Sequence, residues 1–375
     1  MSPEYPIIKQ VKTSRDMEEF IRFPLALYRT EPNYVPHLIS ERKRFFNTSK
    51  NPLFDFTEAA LFLALDQHNQ PVGRISAHIN HKHNDYWDEK TGFFGFFDCI
   101  DDGKVAQSLL NKAIEWTNAK NMNSIRGPFN FSTNEECGLL IRGFERQPAI
   151  MMPYNAPYYK THLENEGFEK LKDLFAYEYE HQGNIPDYME RFSKIVRRRH
   201  GITVRPIDKE NFHAEVRNAM QIYNHAWAEN WGFVPMTERQ FRHMADELKP
   251  IIDPNVAIIA EKNGKPVAFS LALPDYNQIL AKLNGRLLPF GWIRFLLGKR
   301  RLSHIRVITL GVVKEYRSLG VDVALYCETF RRGLAQGYRS CEMSWILEDN
   351  IQMIRALERF GAQHTKTYRI YGKKL

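Results

Sequence analysis

The stretch VITLGVVKEYRSLGVDVALYCETF, Val307 to Phe330, decides the fold. A β-branched run from Arg306 to Val313 reads as a strand. A short loop holding Arg317, Ser318, Leu319 and Gly320 follows. A helix is then expected from about Gly320 to Gln336, stopping near Gly337. The first N–H groups of such a helix have no partner inside it and sit at the positive end of its dipole. They suit an anion such as a pyrophosphate. Gly320 would let the backbone approach that anion with no Cβ in the way. Arg317 would add a charge-assisted contact. A strand, a glycine and a helix also make ordinary tight turns, so the surroundings have to decide.

Outward from this turn, the same order of elements occurs twice. In the second half, strands are expected at Ile202–Ile207, Val256–Glu261, Val267–Leu273, Arg306–Val313, Ser340–Leu347 and Thr367–Tyr371. Helices are expected at Lys209–Glu229, Gly320–Gln336 and Ile351–Phe360, with a hairpin turn at Asn263-Gly264. The first half gives strands at Ile7–Val11, Ala60–Leu65, Val72–Ile79, Phe93–Cys99, Ser124–Phe131 and Leu174–Tyr179. Its helices are Arg15–Arg29, Lys104–Ala119 and Pro157–Glu166. Each half is a mixed α/β (α+β) unit with one parallel crossover. Two tandem domains are expected, 1–183 and 184–375, joined near His181 to Pro186. A basic linker helix, Asp187 to His200, opens the second (184–201). Its Arg197-Arg198-Arg199-His200 run suits either phosphates or a solvated helix end.

Over Ser303 to Leu375 the chain resembles the GNAT superfamily of acyl-coenzyme A N-acyltransferases. The cofactor loop there reads Gln or Arg, two residues, Gly, one residue, then Gly or Ala, after small aliphatics. Arg317, Gly320 and Gly311-Val312-Val313 match. Asp322 stands where the family has Gly or Ala, and puts a carboxylate near the anion unless it points away or caps the helix. Glu342 to Asn350, then Met353 to Gly361-Ala362, resembles the next motif, and Tyr368-Arg369-Ile370-Tyr371 the closing strand. The resemblance implies two tandem GNAT-like domains, each a twisted mixed sheet flanked by helices. It also implies that two central strands splay apart around the pantetheine arm. Acetyl-CoA or another acyl-CoA would then be held by Leu310, Gly311, Val312, Val313, Arg317, Ser318, Leu319, Gly320, Val321 and Asn350. The first half resembles a decayed copy, through Leu163 to Phe168. Its loop Cys99 to Lys104 lacks Arg-x-x-Gly, and two carboxylates there would repel a pyrophosphate. That half is expected not to bind coenzyme A.

The chemistry implied is attack of an amine on a thioester, with a base for the amine and an acid for the thiolate. The usual acid, a tyrosine, is replaced by Leu357. Tyr368 or Tyr371 would substitute, or the thiolate leaves unaided. Glu342 is the candidate base, with Glu348 beside it, although strand carboxylates also serve as solvated surface. Asn230 and Trp231, in the aromatic run Trp227 to Pro235, are candidates for touching an acceptor. An aromatic helix end packed in the core is the other reading. The polar loop Asn130 to Gly138 is a second candidate for acceptor binding, between the domains. The inserted run 285–301, apolar and then basic, would cover the substrate mouth or lie on an anionic membrane surface.

Bulk properties narrow the rest. The 375 residues favour two domains. The net charge of +8 suits an anionic partner, and a phosphorylated cofactor satisfies it without nucleic acid. The four cysteines are isolated, which fits a reducing cytoplasm. No run approaches the ~20 apolar residues of a membrane span, and the N-terminus does not read as a signal peptide. His78, His81, His83 and Asp85 have no second ligand cluster, so no metal is expected. No GxxxxGK[ST] occurs. Three functions stay open: acyl-CoA-dependent N-acyl (N-acetyl) transfer to a small amine, an acyl-CoA sensor or scaffold without turnover, and aminoacyl transfer from charged tRNA.

Overall fold

The computed structural model describes residues 5–181 and 185–375. The first half runs β1 (Ile7–Gln10), α1 (Ser14–Leu27), α2 (Ile39–Phe45), β2 (Thr57–Leu65), β3 (Pro71–Asn80), α3 (His81–Trp87), β4 (Thr91–Cys99) and α4 (Gly103–Asn118). It ends with β5 (Ser124–Gly127), β6 (Leu139–Arg142), α5 (Tyr159–Asn165) and β7 (Glu169–Glu180). The second half runs α6 (Asp187–His200), β8 (Ile202–Pro206), α7 (Phe212–Ala226), α8 (Glu238–Leu248), β9 (Ala257–Lys262), β10 (Lys265–Pro274), α9 (Asn277–Leu280) and α10 (Gly291–Lys299). It ends with β11 (His304–Val312), α11 (Val321–Ala335), β12 (Ser340–Leu347), α12 (Ile351–Phe360) and β13 (Gln363–Lys374). The joint expected at 183/184 lies outside the described residues, which resume just before the linker helix α6.

Local chemistry sets many of these boundaries. Thr13 accepts from the Asp16 N–H while Asp16 accepts from the Thr13 N–H, a capping box that starts α1. Thr237 and Gln240 do the same for α8, a helix that the sequence pattern did not reveal. Asn263 and Gly264 both take positive φ at the β9–β10 hairpin, as a two-residue primed turn requires. The expected strand Ser124–Phe131 is cut short at Gly127, because Pro128 has no N–H to extend the ladder. The chain after it crosses over β4 instead. The Phe129 N–H donates to the Phe94 carbonyl at 2.7 Å, and the Phe96 N–H donates to Asn130 Oδ1 at 2.9 Å. Only a glycine at 95 permits this crossing, since a Cβ there would lie 1.7 Å from the Phe129 carbonyl oxygen. His81 and His83, expected in a turn, lie in α3, capped by Asn80.

The described strands form one sheet in the order β1-β2-β3-β4-β5-β13-β7-β12-β11-β10-β9-β8, with β6 also pairing β13. The two parallel pairs are β4–β5 and β11–β12. The centre is where the halves meet, and their closing strands are exchanged. β13 lies between β5 and β7, pairing Tyr371 with Gly127 and Thr367 with Phe175. β7 pairs with β13 and β12, with Ser340 opposite Glu180. Tyr371 accordingly packs in the first half's core, beside Phe168 and Leu163. No described helix is long and apolar enough to cross a membrane.

Each half leaves an open edge unless the other half fills it. Fragments 1–181 and 185–375 expressed separately are therefore expected to be insoluble or to unfold without a cooperative transition. Co-expressed, they should purify as one complex. Two fragments that each melt cooperatively, followed by circular dichroism, would contradict the exchange.

Candidate active site

The parallel pairing of β11 with β12 covers His304 to Val307 against Ser340 to Met343 and then stops. Both strands continue, to Val312 and Leu347. Each is drawn to its outer neighbour, where the register shifts: β11 against β10 at Leu271/Ala272, and β12 against β7 between Met343 and Ile346. The result is a wedge in the sheet. Thr309 Oγ1, Ser270 Oγ and Trp345 Nε1, all beside this wedge, are buried without a hydrogen-bond partner among the described residues. Unpaired buried polar atoms are costly, about 1–3 kcal/mol each, and fit a ligand that pairs them.

The anion loop is more occupied than the sequence implies. Gly320 has φ +76 and stands at the start of α11 with no side-chain cap. A Cβ on it would come 2.6 Å from the Phe192 ring of α6, so packing as well as anion approach demands glycine. Arg317 donates to the Ala226 carbonyl at 2.6 Å and the Val312 carbonyl at 3.3 Å, which ties the loop to the end of α7. Asp322 is half-buried. Burial raises its pKa, against the pull of the N–H groups of Val323 and Asp322 itself. A carboxyl of the protein already sits in the field of this helix start. Leu310, Leu319 and Val321 pack in the core beneath α11, and Ser318 is exposed. Gly311 is covered by the Trp227 ring, and the Val313 N–H donates to the Val267 carbonyl. Asn350 caps α12, accepting from the Met353 N–H at 3.2 Å. Strand wedge and helix start thus fit an acyl-CoA.

A cavity of about 250 Å³ opens from the wedge toward α7 and α8. Its walls are mostly apolar, with Trp227, Phe241, Met244, Phe269 and Ile308 among them. Asn230 and Trp231 also line it, and so do Thr133, Asn134 and Glu135 from the first half. Both acceptor candidates from the sequence therefore meet in one place. Two bonds join them: Tyr223 Oη donates to Asn134 Oδ1 at 2.5 Å, and Thr133 Oγ1 donates to the Gly232 carbonyl at 3.0 Å. A second cavity of about 330 Å³ shares Glu135, Cys137, Met151 and Leu248 with the first. Its further lining includes Glu41, Arg42, Glu136 and Glu247.

Glu135 stands at the neck between the two cavities, half-buried, with no side-chain hydrogen bond among the described residues. Burial, then the charges of Glu247, Glu136 and Glu41, push its carboxyl up to about 8, against the pull of Arg42. Its neighbour Glu136 is different. It pairs with Arg42 at 2.5 Å and accepts from Asn130 at 2.8 Å, and these partners overcome burial and hold it low.

Glu342, the base candidate from the sequence, is fully buried. It pairs with Lys366 at 2.7 Å and accepts from Ser344 Oγ at 2.7 Å. Burial raises its pKa, but Lys366 and Arg306 outweigh burial and keep it ionised. Arg306 in turn donates to Ser344 Oγ and to the Ile150 carbonyl, and lies over the Trp345 ring. Tyr368 packs edge-on against Trp345. Its hydroxyl is unpartnered, and burial and the charge of Glu342 push its pKa well up. Tyr371 donates to Glu164 of the first half, and burial raises it to about 12. Glu348 accepts from Lys170 and the Asp173 N–H, and Leu357 is buried in the core. Sequence reading missed Glu247, Arg306 and Trp345, and named Glu135 only as part of the loop 130–138. The doublet Glu135-Glu136 inside a polar loop was the one available signal.

No protein-family model matches the chain. It is 37% identical over 377 residues to Protein YghO of Escherichia coli (strain K12), covering 98% of this chain and 95% of that one. It is 35% identical over 372 residues to the bacterial ceramide synthase of Caulobacter vibrioides (strain NA1000 / CB15N), covering 97% and 96%. In fold it is similar to a tandem GNAT protein from the clavulanic acid biosynthesis pathway, with a TM-score of 0.59, 10% identity, and 98% of each chain covered. It is likewise similar to a GCN5-related N-acetyltransferase from Sphaerobacter thermophilus, with a TM-score of 0.57, 14% identity, and 100% and 97% covered.

Removing one partner of a buried ion pair leaves an uncompensated charge. Lys366→Met is expected to lower stability in urea by about 3–5 kcal/mol at neutral pH. A loss below about 1 kcal/mol would mean that Lys366 does not hold Glu342.

Proposed function

We propose that the chain, which belongs to one family with Protein YghO and the bacterial ceramide synthase and shares the fold of GNAT acyltransferases, acylates the primary amine of a long-chain base with acyl-CoA as donor. One observation carries the reading: an unpaired, high-pKa carboxyl, Glu135, at the neck between an apolar cavity and one lined by both carboxylates and arginines. A long-chain amine has the matching polarity. Its tail suits the apolar walls, and its ammonium suits Glu135 with Glu41 and Glu247 behind it. The name of one relative supports the class of acceptor, since a ceramide is an N-acylated long-chain base.

In this reading Glu135, once ionised, takes a proton from the bound ammonium. The neutral amine then attacks the thioester carbonyl held at the wedge. Trp345 Nε1 and Thr309 Oγ1, both without partners, supply donors for the developing oxyanion. The new N–C bond forms as the C–S bond breaks. Tyr371 is engaged with Glu164, so of the two candidate tyrosines Tyr368 keeps a free hydroxyl to reprotonate the thiolate.

Glu135→Gln is expected to lower kcat for thiol release by about 10²–10⁴ with KM for acyl-CoA unchanged. The wild-type rate should rise with pH through about 8, and the variant should lose that limb. Stability moves the opposite way. A raised folded-state pKa means that the folded protein binds the extra proton, so its stability falls as pH climbs from the ordinary carboxyl range to about 8. The variant should therefore be more stable than wild type at pH 8, by roughly 1–3 kcal/mol, with little difference at pH 5. A wild-type protein that binds acyl-CoA yet releases no thiol with any long-chain amine would overturn the reading.

Asp322→Asn should tighten coenzyme A binding several-fold in calorimetry, since it removes a carboxylate from the pyrophosphate field. Weaker binding would show instead that Asp322 helps to build the loop.

A further inference from the structure

We infer that α10 and the turn before it form a docking surface for an anionic lipid bilayer. Large apolar side chains are exposed together here: Leu288 at 75%, Phe290 at 73%, Leu297 at 67%, with Trp292, Ile293 and Leu296 beside them. This is not a core face turned the wrong way. On a helix of about 3.6 residues per turn, Phe295 and Gly298 share one face and seat the helix on the protein. Phe295 stacks on Tyr276 at 5.2 Å, and a Cβ at Gly298 would come 2.9 Å from Ile279. Trp292, Ile293, Leu296 and Leu297 occupy the opposite face. Arg294 and Lys299 fall at its two margins, where headgroups would lie.

Charge decides between a bilayer and a second copy of the chain. Lys282, Arg286, Arg294, Lys299, Arg300 and Arg301 are all exposed, and none has an ion-pair partner among the described residues. The sequence has no acidic residue between Asp275 and Glu315. Two copies meeting here would set these cations against each other. An anionic lipid surface complements them and accepts the apolar face at the same time. The position also serves the cavities. The Gly285 carbonyl accepts from the Ile39 N–H at 3.1 Å, so the base of the turn rests on the loop whose Pro36, His37 and Leu38 line the second cavity. A docked α10 places that cavity beside the bilayer. The inference holds whether or not the acceptor is a long-chain base.

The test is sedimentation of the full chain with vesicles of phosphatidylcholine, with and without 30% phosphatidylserine (~30%, an anionic leaflet). Binding to the anionic vesicles is expected to exceed binding to the neutral ones by at least about tenfold and to weaken with salt. Leu296→Gln/Leu297→Gln and Arg300→Gln/Arg301→Gln should each reduce it by about tenfold. Both should keep the wild-type melting temperature and coenzyme A binding, which separates lost docking from lost fold. Wild type that stays in the supernatant at low salt overturns the inference. So does binding that neither variant weakens, or light scattering that shows a dimer dissolved by Leu296→Gln/Leu297→Gln with no vesicle binding.

Discussion

Backbone pairing at the middle of the sheet is the constraint on which the rest depends. A strand in a sheet interior must satisfy its N–H and C=O groups on both sides. β5 finds its second partner in β13, and β7 finds its partners in β12 and β13. Neither half can complete its sheet from its own strands. The exchange joins the two halves edge to edge in one sheet and holds the loop after β5 against the wedge of the second half. The cavity at the wedge therefore has walls from both halves, and its one unpaired carboxyl comes from the half that resembles a decayed copy.

Two glutamates, one buried and one half-buried, show how environment separates scaffold from chemistry. Glu342 has Lys366, Ser344 and the charge of Arg306 around it, and it stays ionised and immobile. Glu135 has like charges nearby, no side-chain hydrogen bond among the described residues, and cavity space beside it. The first arrangement stabilises a charge; the second stores unfavourable energy that a cationic ligand would release. Groups of the second kind cluster at functional sites. Residue type does not distinguish them, because most of the deciding charges, Lys366 and Arg306 for Glu342 and Glu247 and Glu41 for Glu135, come from residues distant in the chain.

Much of the architecture was legible. The hairpin at Asn263-Gly264, the parallel crossovers, and the strand and helix around Gly320 follow from period, turn residues and caps. The departures at Asp322 and Leu357 were legible too. The strand exchange was not, since β13 reads the same whether its neighbours are β5 and β7 or the strands of its own half. The extra helices α8 and α10 were hidden for another reason. α8 lies in a polar stretch whose capping box marks its start only once the helix is sought. The outward face of α10 is apolar, which inverts the pattern used to find soluble helices. The bond from Arg317 to the Ala226 carbonyl was not legible, because that carbonyl lies at the end of another helix.

The exchange also sets an order on synthesis. A ribosome delivers β5 and β7 long before β13, the last of the described strands. Until then the first half emerges with open edges and with a core that still awaits Tyr371. Its contacts span nearly two hundred residues of sequence, from Asp173 to Arg369 for example. Such separations slow folding and keep strand edges available for mispairing. The chain thus gains a cavity walled by both halves at the cost of a nascent state that cannot close before β13 arrives.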